Sequence, residues 1–104
     1  MGNEAKYERG PFVVFYCGTG YIAQNTSKPF DEGHTHLRSF KACIDAINFV
    51  THNKIPKRTG FYYLLSLKRL STDANYIRRI DELIAVRKGK GKEPYYRPTK
   101  TKKR

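Results

Sequence analysis

The spacing of apolar residues changes once along the chain, and this change limits the fold more than any other feature of the sequence. Residues 11–17, PFVVFYC, are β-branched and aromatic, GTG follows, and YIAQ continues an extended pattern. Strand-forming residues on both sides of a Gly-rich turn predict a β-hairpin with a three-residue loop. From residue 35 onward the apolar residues recur at helical intervals instead. A hairpin followed by three short helices is an α+β fold.

Three segments carry the helical spacing. The first begins near Thr35, a residue type that can cap a helix N-terminus, and in it Lys41 and Asp45 can form an ion pair one turn apart. The second covers residues 61–70. The third follows the cluster STD at 71–73, which offers three candidate N-caps, and fades at Arg87. The residues expected to face the core are Leu37, Phe40, Ile44, Ile47, Val50, Tyr63, Leu64, Leu67, Ile77, Ile80, Leu83 and Ile84.

The distribution of apolar residues predicts one folded domain between two polar ends. A chain of 104 residues can build one modest core but not two. Residues 1–10 are polar and are expected to be a flexible N-terminus, whereas residues 11–86 are expected to form a single α+β domain. Residues 87–104, RKGKGKEPYYRPTKTKKR, are expected to form a basic disordered tail, because their glycines and prolines disfavour a helix and little in them favours burial.

Positive charge is concentrated at the C-terminal end. The chain has 21 Lys and Arg against 9 Asp and Glu, a formal net charge of +12. Residues 87–104 hold nine of these bases and a single acid, Glu93, so they supply +8 of that charge. A block of like charge stays extended and can neutralise a polyanion. Because Tyr95 and Tyr96 lie among these cations, and flat rings stack on exposed bases, the tail indicates a nucleic-acid partner.

A second basic segment lies inside the expected domain. No Asp or Glu occurs between Asp45 and Asp73, while the loop KIPKR at 54–58 carries three cations and is stiffened by Pro56. Gly60 lets a backbone approach a phosphate at the start of the second helix, where free amide groups attract anions. The candidate nucleic-acid-binding residues are Lys54, Lys57, Arg58, Lys68, Arg69, Arg78, Arg87, Lys88, Lys90, Lys92, Tyr95, Tyr96, Arg97, Lys100, Lys102, Lys103 and Arg104.

These features favour a small basic protein that binds nucleic acid without being an enzyme. RNA is slightly favoured over DNA, because exposed tyrosines and a basic tail suit unpaired bases. No cofactor and no metal are expected. The run FVVFYC is too short for a signal core or a membrane span, so a cytoplasmic protein without a membrane partner is expected. Cys17 and Cys43 lie in apolar stretches and are expected to be reduced.

One stretch resembles a known DNA-binding motif. In residues 67–83, LKRLSTDANYIRRIDEL, a leucine closes one helix and a Tyr-Ile, Arg-Ile pattern runs through the next. The stretch resembles the turn and second helix of the repressor-type helix-turn-helix, although Ser71 and Thr72 stand where that turn usually has Gly and an apolar residue. The resemblance implies a DNA-binding regulator. The residues that would then face the major groove are Asp73, Ala74, Asn75 and Arg78.

A protein partner is the main alternative to nucleic acid. The aromatic residues outnumber what a core of this size needs, and aromatic side chains commonly form the centre of an interface. The alternative is a small interaction factor, such as an inhibitor, adaptor or assembly factor, that docks on an acidic surface of a larger protein or ribonucleoprotein. The residues that carry it are Phe12, Phe15, Tyr16, Tyr21, Phe61, Tyr62 and Tyr63.

The sequence contains three weaker patterns. Gly18, Gly20 and Ala23 have the spacing of the dinucleotide-binding GxGxxA motif, but no helical period follows them. The segment DEGHTH at 31–36 gathers metal-binding residue types without the closed spacing of zinc sites. A toxin-like ribonuclease would need a cation beside an acid or base, and no nucleophile motif or carboxylate pair accompanies the suitable groups. Those groups are His34, His36, His52, Arg58 and Tyr62.

Overall fold

The structure, a computed structural model, describes residues 5–90. In this range four strands form one antiparallel sheet in the order β1-β2-β3-β4, with helices inserted before β4 and following it. The predicted α+β class is confirmed. In chain order the elements are β1 (Ala5–Arg9), β2 (Phe12–Tyr16), β3 (Tyr21–Asn25), α1 (Phe30–Gly33), β4 (His34–Leu37), α2 (Phe40–Thr51), α3 (Phe61–Leu70) and α4 (Ala74–Lys90).

The predicted hairpin is formed by β2 and β3. Its strands pair antiparallel up to Tyr16 opposite Tyr21, so four residues rather than three connect them. The Cys17 amide donates to the Gly20 carbonyl at 3.0 Å and closes the turn. Gly18 has φ 95, a value that residues with a side chain rarely adopt. The glycines at 18 and 20 thus serve a strand-to-strand turn, and no helix follows them as the dinucleotide motif requires.

The N-terminal segment differs from the prediction that residues 1–10 are flexible. Residues 5–9 form β1, which pairs with β2 along the edge of the sheet. Tyr7 packs against the core, and the Arg9 guanidinium donates to the side chain of Asn48 on α2. The sequence of this segment is polar because its outward-facing positions are charged. Its inward-facing side chains nevertheless contact residues of distant elements.

The start of the first long helix is also different. Thr35 was expected to cap it but lies in β4, buried, with its hydroxyl 2.7 Å from the Ser66 hydroxyl of α3. The cap is Ser39, whose Oγ accepts a hydrogen bond from the Ala42 amide at 3.0 Å. Strand β4 precedes α2 because it pairs with β3 and completes the sheet. The spacing of residues within β4 does not reveal this pairing.

The remaining helices agree better with the sequence. Helix α3 has the predicted bounds, and Lys41 and Asp45 of α2 form the predicted ion pair at 2.9 Å. Of the three candidate caps before α4, Asp73 accepts the Tyr76 amide at 3.0 Å. Helix α4 runs to Lys90, so the predicted boundary at Arg87 lies inside it and not at its end.

The core lies between one face of the sheet and the helices. Val14 of β2, Ala23 of β3, Ile47 of α2, Leu67 of α3 and Ile80 of α4 are completely buried in a single apolar cluster. Several of the aromatic residues assigned to a possible interface belong to this core or pack against it, whereas others remain exposed. None of the helices within residues 5–90 is long and apolar enough to cross a bilayer.

Candidate nucleic-acid interface

The loop that joins α2 to α3 lies along one face of α4. Three side chains of α4 hold it there through backbone carbonyls. The Tyr76 hydroxyl donates to Lys54 O at 2.7 Å, Arg79 Nη1 donates to Asn53 O at 3.1 Å, and Arg87 Nη1 donates to Thr59 O at 2.6 Å. The loop is therefore anchored at both ends.

A groove of about 490 Å³ separates this loop from α4. Its floor is partly apolar, because Leu83 and Val86 of α4 are 38% and 55% exposed. The cations in its lining are Lys57 of the loop and Arg79 and Arg87 of α4. We call this cleft the loop–helix groove, and it is lined by Ile55, Pro56, Lys57, Arg79, Glu82, Leu83, Val86 and Arg87.

The cations in and beside the loop–helix groove retain hydrogen-bond donors. Lys54, Lys57 and Arg58 are exposed, and none of them forms an ion pair within the part of the chain that the structure describes. Arg79 and Arg87 each give a single described hydrogen bond to the loop, while a guanidinium offers five N–H donors. The groove itself offers Lys57, Arg79 and Arg87 to an anionic ligand. Arg58 follows Lys57 on the same loop, and Lys54 lines a neighbouring cleft with His52 and Asp45.

The one acid in the lining is already neutralised. Glu82 Oε2 lies 2.9 Å from Arg78 Nη1, one turn earlier on α4. Arg78, a candidate from the sequence, is thus committed to this exposed ion pair rather than to the groove. Charge in the loop–helix groove remains positive.

Tyr76 joins α4 to the loop from a buried position. It is 1% exposed, and its ring lies under the Arg79 guanidinium at 5.9 Å. Burial raises the pKa of its phenol to about 12, against a smaller opposing effect of the Arg79 charge. The phenol is therefore protonated at neutral pH and remains a donor to the loop.

Lys68 and Arg69 lie elsewhere. They line a different cleft of about 370 Å³ beside α1, which we call the α1–α3 cleft. This cleft also contains Asp31 and Glu32, and it shares no lining residue with the loop–helix groove. The sequence grouped all these cations as one set of phosphate contacts, and the fold separates them.

The cations of the α1–α3 cleft have internal partners. Arg69 Nε donates to His34 O at 2.7 Å, its Nη2 donates to Asp31 O, and Lys68 Nζ lies 2.7 Å from a carboxylate oxygen of Asp81. Lys28, which the sequence did not single out, donates to Arg69 O at 2.8 Å and to Ser71 O at 3.0 Å. Burial lowers the pKa of Lys28, and repulsion from the Arg69 charge lowers it further by a smaller amount. These cations stabilise the fold.

Two of the remaining candidates lie at the end of α4, and the others come after it in the sequence. Lys88 and Lys90 lie in its last turn, directly after Arg87 of the loop–helix groove. The other tail candidates lie outside the described residues 5–90, so their disorder and their contacts stay predictions. They are Lys92, Tyr95, Tyr96, Arg97, Lys100, Lys102, Lys103 and Arg104.

Sequence reasoning missed Arg79 and the apolar floor of the groove. A signal for them exists, because Tyr76, Arg79, Leu83 and Arg87 recur at helical spacing and share one face of α4. Leu83 was assigned to the core because it fits that spacing. Its partial exposure depends on the course of the loop, which the sequence does not specify.

The arrangement of α3 and α4 differs from that of a helix-turn-helix. Arg87, near the far end of α4, contacts Thr59, which lies just before α3. The two helices therefore run back along each other, unlike the steep crossing of a helix-turn-helix. Asp73, the first residue of the implied reading surface, is used to cap α4.

The residues considered for metal binding and ribonuclease chemistry are distributed over several clefts. His36 lines one with Cys17 and Arg38, whereas His52 lines another with Asp45. Within residues 5–90 no three His, Cys, Asp or Glu side chains lie close enough together to hold a metal ion. Cys17 and Cys43 are both free thiols, and burial raises the pKa of Cys43 to about 11.

The chain matches no protein-family model, no curated protein and no solved structure.

Proposed function

We propose that the protein binds nucleic acid without catalysing a reaction. Its contact surface would be the loop–helix groove together with the basic tail, residues 87–104. Lys57, Arg79 and Arg87 bind phosphates from the groove, and Lys54 and Arg58 bind them from the loop beside it. Cations after Arg87 add affinity, and RNA is favoured slightly over DNA because Tyr95 and Tyr96 suit unpaired bases.

One contact supports this proposal most directly. Arg87 begins the basic segment of the sequence, and its guanidinium donates to Thr59 O at 2.6 Å, at the end of the loop that carries Lys57 and Arg58. Two groups of cations about thirty residues apart in the chain thus meet at a common groove. Convergence of unpaired cations on one surface is what a polyanion requires, since each phosphate contact releases counterions.

A salt titration tests the proposal. Filter binding or fluorescence anisotropy with a labelled single strand and a duplex of the same length would be measured at increasing salt. About five phosphate contacts on a single strand give a slope of log K against log salt of about −3.5. The chain truncated after Arg87 should keep roughly that slope, while the full chain should be steeper. Absence of binding to both probes even at low salt would sink the proposal.

The second candidate function, docking on an acidic surface of a larger protein, has one observation in its favour. Leu83 and Val86 expose apolar surface on the floor of the loop–helix groove, which a polyanion alone does not need. The aromatic surplus supports it less, because Phe12 is in the core and Tyr21 and Tyr63 pack against it. Protein docking would appear as absence of nucleic-acid binding together with capture of a defined acidic protein.

A further inference from the structure

The sheet presents a second surface on the side away from the core. Side chains alternate across a strand, so the neighbours of the buried Val14, Ala23 and Thr35 point outward. On β4 these neighbours are His34 and His36. We call this side the outer sheet face, and its residues on the three strands β2 to β4 are Val13, Phe15, Ile22, Gln24, His34 and His36.

The apolar centre of the outer sheet face is already covered. Ile22 pairs across the strands with Phe15 on one side and His36 on the other, and it is only 6% exposed although it is outside the main core cluster. A protein partner would therefore gain little from burying Ile22. Among the other residues of this face His36 is exposed, and Phe15 and His34 are half-buried.

Those rings are arranged as a platform along the edge strand β4. The Phe30 ring stacks on the His34 ring with centroids 4.0 Å apart and planes 6° apart, and His36 meets His34 edge to face at 5.2 Å. Phe30 is 48% exposed, so the stack can be extended by another flat ring. A nucleobase is a flat ring of this kind.

A cation lies beside this platform. Arg38 follows β4 and lines a cleft of about 280 Å³ with His36 and Cys17. Arg38 is exposed and forms no ion pair within residues 5–90. The acid of the outer sheet face, Glu8, lies on β1 at the opposite edge of the sheet. The exposed acids Asp31 and Glu32 follow Phe30 on α1, at the other end of the platform from Arg38. A phosphate is therefore expected at the Arg38 end, and a base on the rings.

We propose that the outer sheet face binds unpaired bases of a single-stranded nucleic acid, with bases stacked on Phe30 and His36 and a phosphate at Arg38. This inference rests on the proposed function, because it takes the same class of ligand, a nucleic acid. It adds a preference for single strands, since bases paired in a duplex cannot stack on protein rings.

Substitution of Phe30 tests the stacking. Phe30→Leu keeps an apolar side chain but removes the ring, and Phe30→Tyr keeps the ring as a matched control. With oligo(dT) or oligo(U) as the probe, we expect Phe30→Leu to bind about tenfold more weakly and Phe30→Tyr to bind as well as the original chain. Binding of a blunt duplex should be the same for all three. Equal binding of the single strand by Phe30→Leu and the original chain overturns the inference and leaves the proposed function intact.

A second measurement needs no variant. The imidazole proton signals of His34 and His36 in NMR spectra should shift on addition of oligo(dT) and stay in place on addition of the duplex. Binding of oligo(dT) without movement of these signals overturns the inference alone. Absence of binding to both probes overturns the proposed function and the inference with it.

Discussion

The loop–helix groove and the α1–α3 cleft both contain exposed or half-buried cations, but they differ in what those cations contact. In the α1–α3 cleft the described bonds of Lys28, Lys68 and Arg69 go to carbonyls and a carboxylate of the protein. In the loop–helix groove Arg79 and Arg87 each donate one hydrogen bond to a carbonyl of the loop. Lys57 and its neighbour Arg58 have no carbonyl or carboxylate partner within residues 5–90. The comparison shows that a count of basic residues does not identify a binding surface, because internal partners decide which charges remain available.

The largest effect is expected from charge reversal in the loop. Lys57→Glu combined with Arg58→Glu should weaken binding of a single strand about 10- to 100-fold at about 0.1 M salt, and should reduce the magnitude of the salt slope by about 1.4, because two phosphate contacts are lost. The matched control is Lys6→Glu with Lys41→Glu, which changes net charge equally on other elements. Equal loss in both double variants would mean that net charge, and not the groove, governs binding.

Arg69→Ala should produce the opposite result, a loss of stability without a loss of binding. Removal of the guanidinium leaves the carbonyls of His34 and Asp31 without their donor, and the free energy of unfolding should fall by about 1–3 kcal/mol. Urea unfolding measures this change, and affinity should stay within about twofold. Arg58→Ala is the companion variant.

For Arg58→Ala we expect weaker binding and a free energy of unfolding within about 0.5 kcal/mol of the original chain, since Arg58 is an exposed loop residue. If Arg69→Ala instead weakened binding as much as Arg58→Ala, the distinction between the two clefts would be wrong.

Tyr76→Phe should loosen the loop by removing one hydrogen bond. Loss of the donor to Lys54 O should lower the free energy of unfolding by about 1 kcal/mol near pH 7. Hydrogen exchange of the loop amides 53–59 should become faster in the variant. Unchanged protection there would show that Arg79 and Arg87 hold the loop without the tyrosine.

The same tyrosine gives a pH dependence with a defined sign. Its pKa rises from 10.0 to about 12 in the folded chain, so the folded state holds the proton more tightly than the unfolded state. The resulting stability is fully present below pH 10 and is lost as pH rises from there towards 12. Urea unfolding of Tyr76→Phe should therefore be less sensitive to alkaline pH than that of the original chain.

The smallest effect is expected from Lys68→Ala. Its ion pair with Asp81 joins two partly exposed side chains, and such pairs contribute at most about 1 kcal/mol to stability. Affinity for a single strand should also stay within about twofold, because Lys68 lies outside the loop–helix groove. A tenfold loss of affinity would place nucleic acid in the α1–α3 cleft instead.

Elements with strong local patterns were predictable from the sequence. The β2–β3 hairpin has strand-forming residues around a Gly-rich turn, and α3 has a continuous helical period, so both agree with the structure. Strands β1 and β4 were missed because they are short and largely polar, and their stability comes from pairing with β2 and β3. Pairing of this kind is a nonlocal property that spacing along one strand cannot express.

The sequence by itself determined the α+β class, the acid-free segment around Pro56 and the accumulation of charge after Val86, because periodicity and charge are properties of neighbours in the chain. Only the tertiary structure decided which cations meet and which are neutralised. Arg69 contacts a carbonyl 35 residues earlier, and Arg87 contacts one 28 residues earlier. Hydrogen bonds have a short range, so partners this far apart in the chain are chosen by the packing of helices on the sheet.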